Sequence, residues 1–284
     1  MIEVDPSAPA LTGGVDLIAP NVWRIVASNP SALTGPGTNT YVIGSETRVV
    51  IDPGPDDPAH LETIVALGGD RIEQILCTHS HSDHSPGAAP LQALTGAIVR
   101  GRPAPDDDYQ DGTYAPDQGL DHDERIAVAG ATLRALHTPG HASNHICFLL
   151  EETGMLFTGD HLMSGSTVVI LPPDGSMRLY LESLRRLLAM PIVSLAPGHG
   201  AVIPNAPADI ERVIAHRLKR EAKLVTALSQ RGAATLDDVL AEVYEDTPRA
   251  LHELARFSLL AHAIKLEEDG RAARSGETWT WLGE

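Results

Sequence analysis

The 284-residue sequence is 43% hydrophobic, which predicts a globular chain long enough for one large domain, or for a large domain and a small one. Its net charge of −17 is concentrated in residues 1–205, where 10 Arg and no Lys face 24 acidic residues. This balance disfavours non-specific nucleic-acid binding, and no run is apolar and long enough to span a bilayer.

The N-terminal stretch MIEVDPSAPALTGG has neither a basic region nor an apolar one, so we expect no signal peptide. Cys77 and Cys147 lie in apolar runs typical of strands. We expect them to be buried free thiols, in keeping with a reducing cytoplasm.

Strand and helix patterns alternate over the first two-thirds of the chain. Ser85 and Pro86 form an N-cap and N1 pair, which predicts a helix reaching about Leu94. The other predicted elements are strands at 41–44, 48–54, 71–79, 126–129, 131–137, 145–150, 155–159 and 192–196, and helices at 57–69 and about 176–189.

Two further segments differ in composition from these elements. Residues 101–125 are rich in Pro, Gly and Asp, which favours a solvated loop or an edge excursion over the alternative, a mobile flap over a site. Beyond residues 204–210 come three amphipathic helix patterns and a hairpin pattern, the outline of a winged-helix unit. We therefore predict domains at 1–205 and 206–284.

The stretch LCTHSHSDHSPG, residues 76–87, carries the strongest chemical signal. Histidines at i and i+2 at a strand end point to one side, so His79 and His81 can reach one metal. Asp83 and His84 follow as the chain turns and can face a second position close by.

Three later strand patterns each end in a small-residue turn with a potential ligand, namely His141, Asp160 and His199. Five histidines and two aspartates suffice for two metals with a shared carboxylate. Imidazole and carboxylate without thiolate favour zinc, with iron or manganese as alternatives.

The order HxHxDH, PGH, GD and PGHG resembles the metallo-β-lactamase superfamily. The resemblance implies an α/β fold, a four-layer αβ/βα sandwich, with a dinuclear site at one edge of its paired sheets. It implies that His79, His81 and His141 hold one metal. It also implies that Asp83, His84 and His199 hold the other, with Asp160 bridging the two.

Within that superfamily, TGPGTNTYVIG, IDPGP and the later motifs resemble the β-lactamase-like protein 2 branch, over about residues 15–284. The resemblance implies a winged-helix-like C-terminal domain and endoribonuclease activity on single-stranded RNA.

We expect hydrolysis by a metal-bound hydroxide that Asp83 orients while also binding metal. Thr38 and Asn39 either line the mouth of the site or serve a turn. His145 and His161 either donate a proton to the leaving group or, the favoured interpretation, support the ligands through hydrogen bonds. Asp52 is expected to orient a liganding histidine.

The resemblance makes phosphodiesters of single-stranded RNA the first expectation for the substrate. Four cations of one predicted helix could contact phosphates: Arg217, Lys219, Arg220 and Lys223. A solvated helix face explains these cations equally well. The alternatives are a thioester, in the manner of glyoxalase II, a lactone or a β-lactam. Bridging Asp160 disfavours a true β-lactamase, and seven ligands in an acidic chain disfavour a non-enzymatic winged-helix regulator. The oligomeric state is left open.

Overall fold

The computed structural model describes residues 7–283. Residues 1–6, part of the stretch where we expect no signal peptide, lie outside the described residues, as does residue 284. No helix in the described part of the chain is long and apolar enough to cross a membrane. The Cα positions form two compact units, and the predicted boundary after residue 205 stays a prediction.

The first unit contains two sheets. The larger has seven strands in chain order: β1 (Val15–Ala19), β2 (Val22–Val26), β3 (Asn39–Ile43), β4 (Arg48–Ile51), β5 (Ile72–Leu76), β6 (Ile98–Gly101) and β7 (Gln118–Gly119). Strands β1–β4 pair antiparallel and β4–β7 parallel. The second sheet contains β8 (Arg125–Val128), β9 (Ala131–His137), β10 (Ile146–Leu150), β11 (Met155–Gly159) and β12 (Ser194–Pro197).

A shared core joins the two sheets face to face. Alternate residues of both sheets, such as Ile51 and Leu76 in one and Phe148 and Phe157 in the other, pack into one buried cluster. The opposite face of the larger sheet is covered by helices α1 (Pro58–Gly68) and α2 (Ala88–Thr95). The predicted sandwich is therefore confirmed.

Local chemistry explains where these helices begin. Asp57 caps α1 by accepting a hydrogen bond from the Ala59 N–H (3.0 Å), and Pro58 occupies the first turn. The predicted start of α2 at Pro86 is wrong, because the helix begins three residues after Ser85. The Ser85 hydroxyl instead donates to Asp111 Oδ2 (2.8 Å), which draws it away from capping.

The second unit contains α3 (Met177–Leu188) and the winged-helix part of the chain. Its remaining elements are α4 (Ala206–Arg231), β13 (Ala233–Thr235), α5 (Leu236–Val243), α6 (His252–Glu268), β14 (Ala272–Ser275) and β15 (Thr278–Trp281). Thr235 and Asp238 form a capping box that starts α5. Buried Leu224, Val239, Leu259 and Trp279 lie in one core that joins the helices to the three-stranded sheet.

Candidate metal centre

Each of the seven predicted ligands follows a strand. His79, His81, Asp83 and His84 come after β5, whereas His141, Asp160 and His199 come after β9, β11 and β12. Strands β9, β11 and β12 run in the same direction, since β10 lies antiparallel to both β9 and β11. Their carboxyl ends therefore lie at one edge of the second sheet, which gathers these ligands there.

The structure brings the seven side chains together in three overlapping groups, within each of which the potential ligand atoms lie within 4.8 Å of one another. The groups are His79–His81–His141, His79–His84–Asp160 and Asp83–His84–His199. The first group contains only imidazoles and forms one end of the cluster, whereas the third mixes imidazole and carboxylate and forms the other end. Asp160 lies between the two ends, because its group shares His79 with the first and His84 with the third.

Hydrogen bonds fix the imidazole rings so that one nitrogen faces the cluster. His84 Nδ1 donates to Asp52 Oδ2 (2.9 Å), His141 Nδ1 to the Val169 carbonyl (2.9 Å) and His199 Nδ1 to the Gly37 carbonyl (3.3 Å). With Nδ1 protonated, each ring has its Nε2 lone pair available as a metal ligand.

His84 gives the clearest test of whether a metal fits. Its Nε2 atom is buried, has no hydrogen-bonding partner among residues 7–283, and lies 3.4 Å from both Asp83 Oδ2 and Asp160 Oδ1. His199 Nε2 lies 3.2 Å from the same two carboxylate oxygens. Two imidazole nitrogens and two carboxylate oxygens converging in a buried space form a donor set suited to zinc, iron or manganese.

The other end of the cluster is formed by the strand-end histidines. His79 Nε2 lies 2.9 Å from His81 Nδ1, and the Thr78 hydroxyl lies 2.9 Å from His79 Nδ1. His79 thus directs Nε2, and His81 directs Nδ1, to one point, which is the outcome that their i, i+2 spacing predicts.

Burial and mutual charge determine the protonation of the mixed end. Burial opposes ionisation of Asp83, but His84 and His199 outweigh it and lower its pKa to about 2. Burial likewise acts against the charged form of His199, yet Asp160 and Asp83 raise its pKa to about 9. With this raised pKa, His199 Nε2 also carries a proton at neutral pH, and a metal ion bound at that atom would displace the proton.

Asp52 lies behind this cluster. It is 2% exposed and accepts hydrogen bonds from the Thr78 N–H (2.7 Å), the Thr78 hydroxyl (2.8 Å) and His84 Nδ1. Its position therefore matches the expected role of orienting a liganding histidine.

Thr38 and Asn39 are fully buried, whereas residues that line the mouth of a site are exposed. The Thr38 hydroxyl lies 3.4 Å from Asp83 Oδ2, and its backbone bridges to His199. The Asn39 amide donates to the carbonyls of Pro197 (2.8 Å) and Gly200 (2.9 Å). Both residues thus hold the loop that carries His199.

His145 and His161 are also fully buried. The Thr138 hydroxyl lies 3.0 Å from His145 Nδ1, and the His145 ring centroid lies 5.1 Å from that of His79. The His161 ring centroid lies 5.6 Å from that of His145, and the expectation that both histidines support the ligands stays a prediction.

Three residues that shape the loop carrying His199 were not predicted from the sequence. Arg24 is 1% exposed and donates to Asp16 Oδ2 (2.7 Å) and to the Gly200 carbonyl (3.4 Å). The Tyr41 hydroxyl donates to the Pro197 carbonyl (2.7 Å). A Cβ on Gly198 would lie 2.7 Å from Asp160 Oδ1, so only glycine fits there. A charged residue inside the apolar run VWRIV was the available signal for Arg24.

Comparisons with known proteins agree with this arrangement. Residues 33–199 match the model of the metallo-β-lactamase superfamily, and residues 235–281 match that of the β-lactamase-associated winged-helix domain. The chain is 34% identical to a β-lactamase-like protein 2 homolog of Drosophila melanogaster, over 92% of this chain and 93% of the relative. It is 33% identical to the atrochrysone carboxyl ACP thioesterase AgnL7 of Paecilomyces divaricatus, over 93% and 87%.

Among solved structures, a β-lactamase domain protein from Burkholderia ambifaria superposes with a TM-score of 0.81 at 19% identity, covering 98% of this chain and 96% of that one. At this identity the likeness concerns the fold. It includes both the sandwich and the C-terminal unit, since nearly the whole chain is covered.

Proposed function

Because this chain belongs to the metallo-β-lactamase superfamily of hydrolases, we propose that it hydrolyses a thioester with the aid of two divalent metal ions, zinc being the first choice. His79, His81 and His141 would hold one ion, and Asp83, His84 and His199 the other. Asp160, whose Oδ1 is near the ring nitrogens of both His84 and His199, would bridge them.

Two such ions lower the pKa of a bound water and polarise a carbonyl, which is the chemistry that ester and thioester hydrolysis needs. Asp83 is suited to orient the attacking water, because its carboxylate is 27% exposed while its Oδ2 is anchored by Thr38 and His199. Asp52 keeps Nδ1 of His84 protonated, so that the ring presents Nε2 to the site.

The environment of the α4 cations bears on the choice between RNA and a thioester as the substrate. Arg217 is 2% exposed, and Arg220 donates to the Val243 carbonyl (2.7 Å) and pairs with Asp246 (2.5 Å). Lys223 pairs with Glu245 (3.1 Å) and with Asp246. Three of the four cations expected to meet phosphates are therefore buried or neutralised within the second unit, which weakens the case for RNA.

A relative at 33% identity is named a thioesterase, and this favours an acyl thioester over a phosphodiester. Single-stranded RNA remains the second candidate, since Lys219 is exposed on α4 and the chain aligns with a β-lactamase-like protein 2 homolog over nearly its whole length.

The experiment compares an uncharged thioester, an acyl N-acetylcysteamine, with labelled single-stranded RNA on zinc-reconstituted protein. Asp160→Asn should lose both thioester hydrolysis and part of its bound zinc, measured by mass spectrometry of the metal, while its circular dichroism is unchanged. Asp56→Asn makes the same charge change at an exposed position and is the matched control. RNA cleavage that depends on Asp160, without thioester hydrolysis, would select the second candidate. A protein that shows neither activity would refute the proposal.

A further inference from the structure

Residues 107–111, within the Pro-, Gly- and Asp-rich segment, run beside the strand-end histidines. Gln110 forms an antiparallel backbone bridge with His81, and the Asp111 N–H donates to the Ser80 carbonyl (2.7 Å). Tyr109 directly precedes Gln110 in the chain, so its backbone is one residue away from the bridge to the ligand position His81.

Hydrogen bonds hold this short run in place. Asp107 accepts from the Tyr109 N–H (2.8 Å) and from the Gln110 side-chain amide (3.1 Å). Asp111 Oδ2 accepts from Ser85 (2.8 Å), and the Ser80 hydroxyl lies 2.5 Å from Gln110 Oε1. Gln110 and Asp111 thus tie the C-terminal end of this run to residues 80–85, and Asp107 holds the backbone of Tyr109 to that end. We call residues 107–111 the wall.

Tyr109 differs from its neighbours in exposure. Asp111 and Tyr114 are buried, whereas Tyr109 is 53% exposed. An aromatic side chain gains little from an isolated exposed position, but beside a reactive centre it offers a rigid apolar surface.

We propose that Tyr109 is a specificity-determining residue whose ring packs against the acyl chain of the substrate at the His81 side of the metal centre. This inference rests on the proposed thioesterase function. Asp106, Asp107 and Asp108 directly precede Tyr109 and make its surroundings negative, which favours an uncharged apolar acyl group over an anionic one.

The test uses zinc-loaded full-length protein with acetyl and octanoyl N-acetylcysteamine thioesters as probes. Tyr109→Ala should raise KM for the octanoyl thioester about tenfold, because several methylenes lose their contact, with kcat and bound zinc unchanged. KM for the acetyl thioester should stay within about twofold, since an acetyl group is too short to gain from that contact. Tyr109→Phe should restore the octanoyl KM, because the ring carries the contact.

Leu94→Ala is the matched control, because Leu94 is a similarly exposed apolar residue in the last turn of α2 and has no place in the proposed wall. If the ratio of the octanoyl KM to the acetyl KM is unchanged in Tyr109→Ala, the assignment of Tyr109 is overturned and the proposed function still stands. Loss of zinc in that variant would also overturn the assignment, since Tyr109 would then support the ligands. A wild-type protein that hydrolyses neither thioester would overturn the proposed function, and this assignment with it.

Discussion

Replacing Asp52 by Asn tests whether the site depends on the hydrogen bond by which Asp52 orients the His84 ring. The Asp52 carboxylate accepts three hydrogen bonds, at 2.7 and 2.8 Å from Thr78 and at 2.9 Å from His84 Nδ1. An amide that keeps the bond to the Thr78 N–H turns its NH₂ group toward His84. Nδ1 of that ring must then accept, which moves the proton to Nε2, the atom that faces Asp83 and Asp160.

The expected magnitude follows from this tautomer change. Substituting a residue that hydrogen-bonds to a liganding histidine typically weakens metal binding about 10- to 100-fold, which corresponds to about 1.4–2.7 kcal/mol. Loss of two charge-assisted hydrogen bonds should also lower the free energy of unfolding of the metal-free protein by about 1.5–3 kcal/mol. Zinc affinity is measured by competition with a chromophoric chelator, and stability by urea denaturation with the chelator present.

The control for Asp52→Asn is Asp57→Asn. Asp57 caps α1 through the Ala59 N–H, and asparagine caps helices as well as aspartate does, so this variant makes the same charge change and should leave zinc affinity and stability nearly unchanged. A folded Asp52→Asn protein that binds two zinc ions with wild-type affinity would show that His84 does not need Asp52, and the reasoning about ring orientation would be wrong.

Three further substitutions test other parts of the structure. Gly198→Ala should lower zinc occupancy, measured by metal analysis, because its Cβ would lie 2.7 Å from Asp160 Oδ1. His60 is buried, which lowers its pKa from 6.5 to about 4, so its contribution to stability is complete above pH 6.5 and is lost as the pH falls toward 4. His60→Gln should therefore flatten the pH dependence of urea denaturation in that window, by at most about 3 kcal/mol. Arg220→Lys should destabilise the protein by about 1–3 kcal/mol in urea with zinc content unchanged, because lysine lacks the planar fork that donates to Val243.

The convergence of the seven candidate ligands was predictable because they follow strong local patterns. Strand β5 is an apolar run, and the histidines lie at its end, where side-chain alternation alone places His79 and His81 on one side. Strands β9 and β11 were predicted with the bounds that the structure shows, 131–137 and 155–159. These strands are apolar, bounded by glycine, proline or charged residues, and long enough for their pattern to be read.

Features that depend on distant partners were not predictable. Strands β1 and β2 were missed, since VDLIA and VWRIV are short and interrupted by Asp16 and Arg24, which pair with each other across the two strands. Ser85 has the sequence of a helix cap, yet Asp111, 26 residues away, takes its hydroxyl. In both cases a tertiary hydrogen bond overrides the local preference, and no local pattern records it.

The distribution of charge argues in the same direction as the substrate proposal. Three carboxylates, Asp52, Asp83 and Asp160, meet at the metal centre, and two divalent cations would neutralise them and leave the centre able to accept a carbonyl oxygen. Outside that centre residues 1–205 stay strongly acidic, and the cations of α4 are largely used to hold the second unit together. A polyanion would meet repulsion everywhere except at the metals, whereas an uncharged acyl thioester would meet none. Raising the salt concentration should therefore leave thioester hydrolysis nearly unchanged. A steep salt dependence of KM would instead indicate a charged substrate and would count against this distribution as the basis of selectivity.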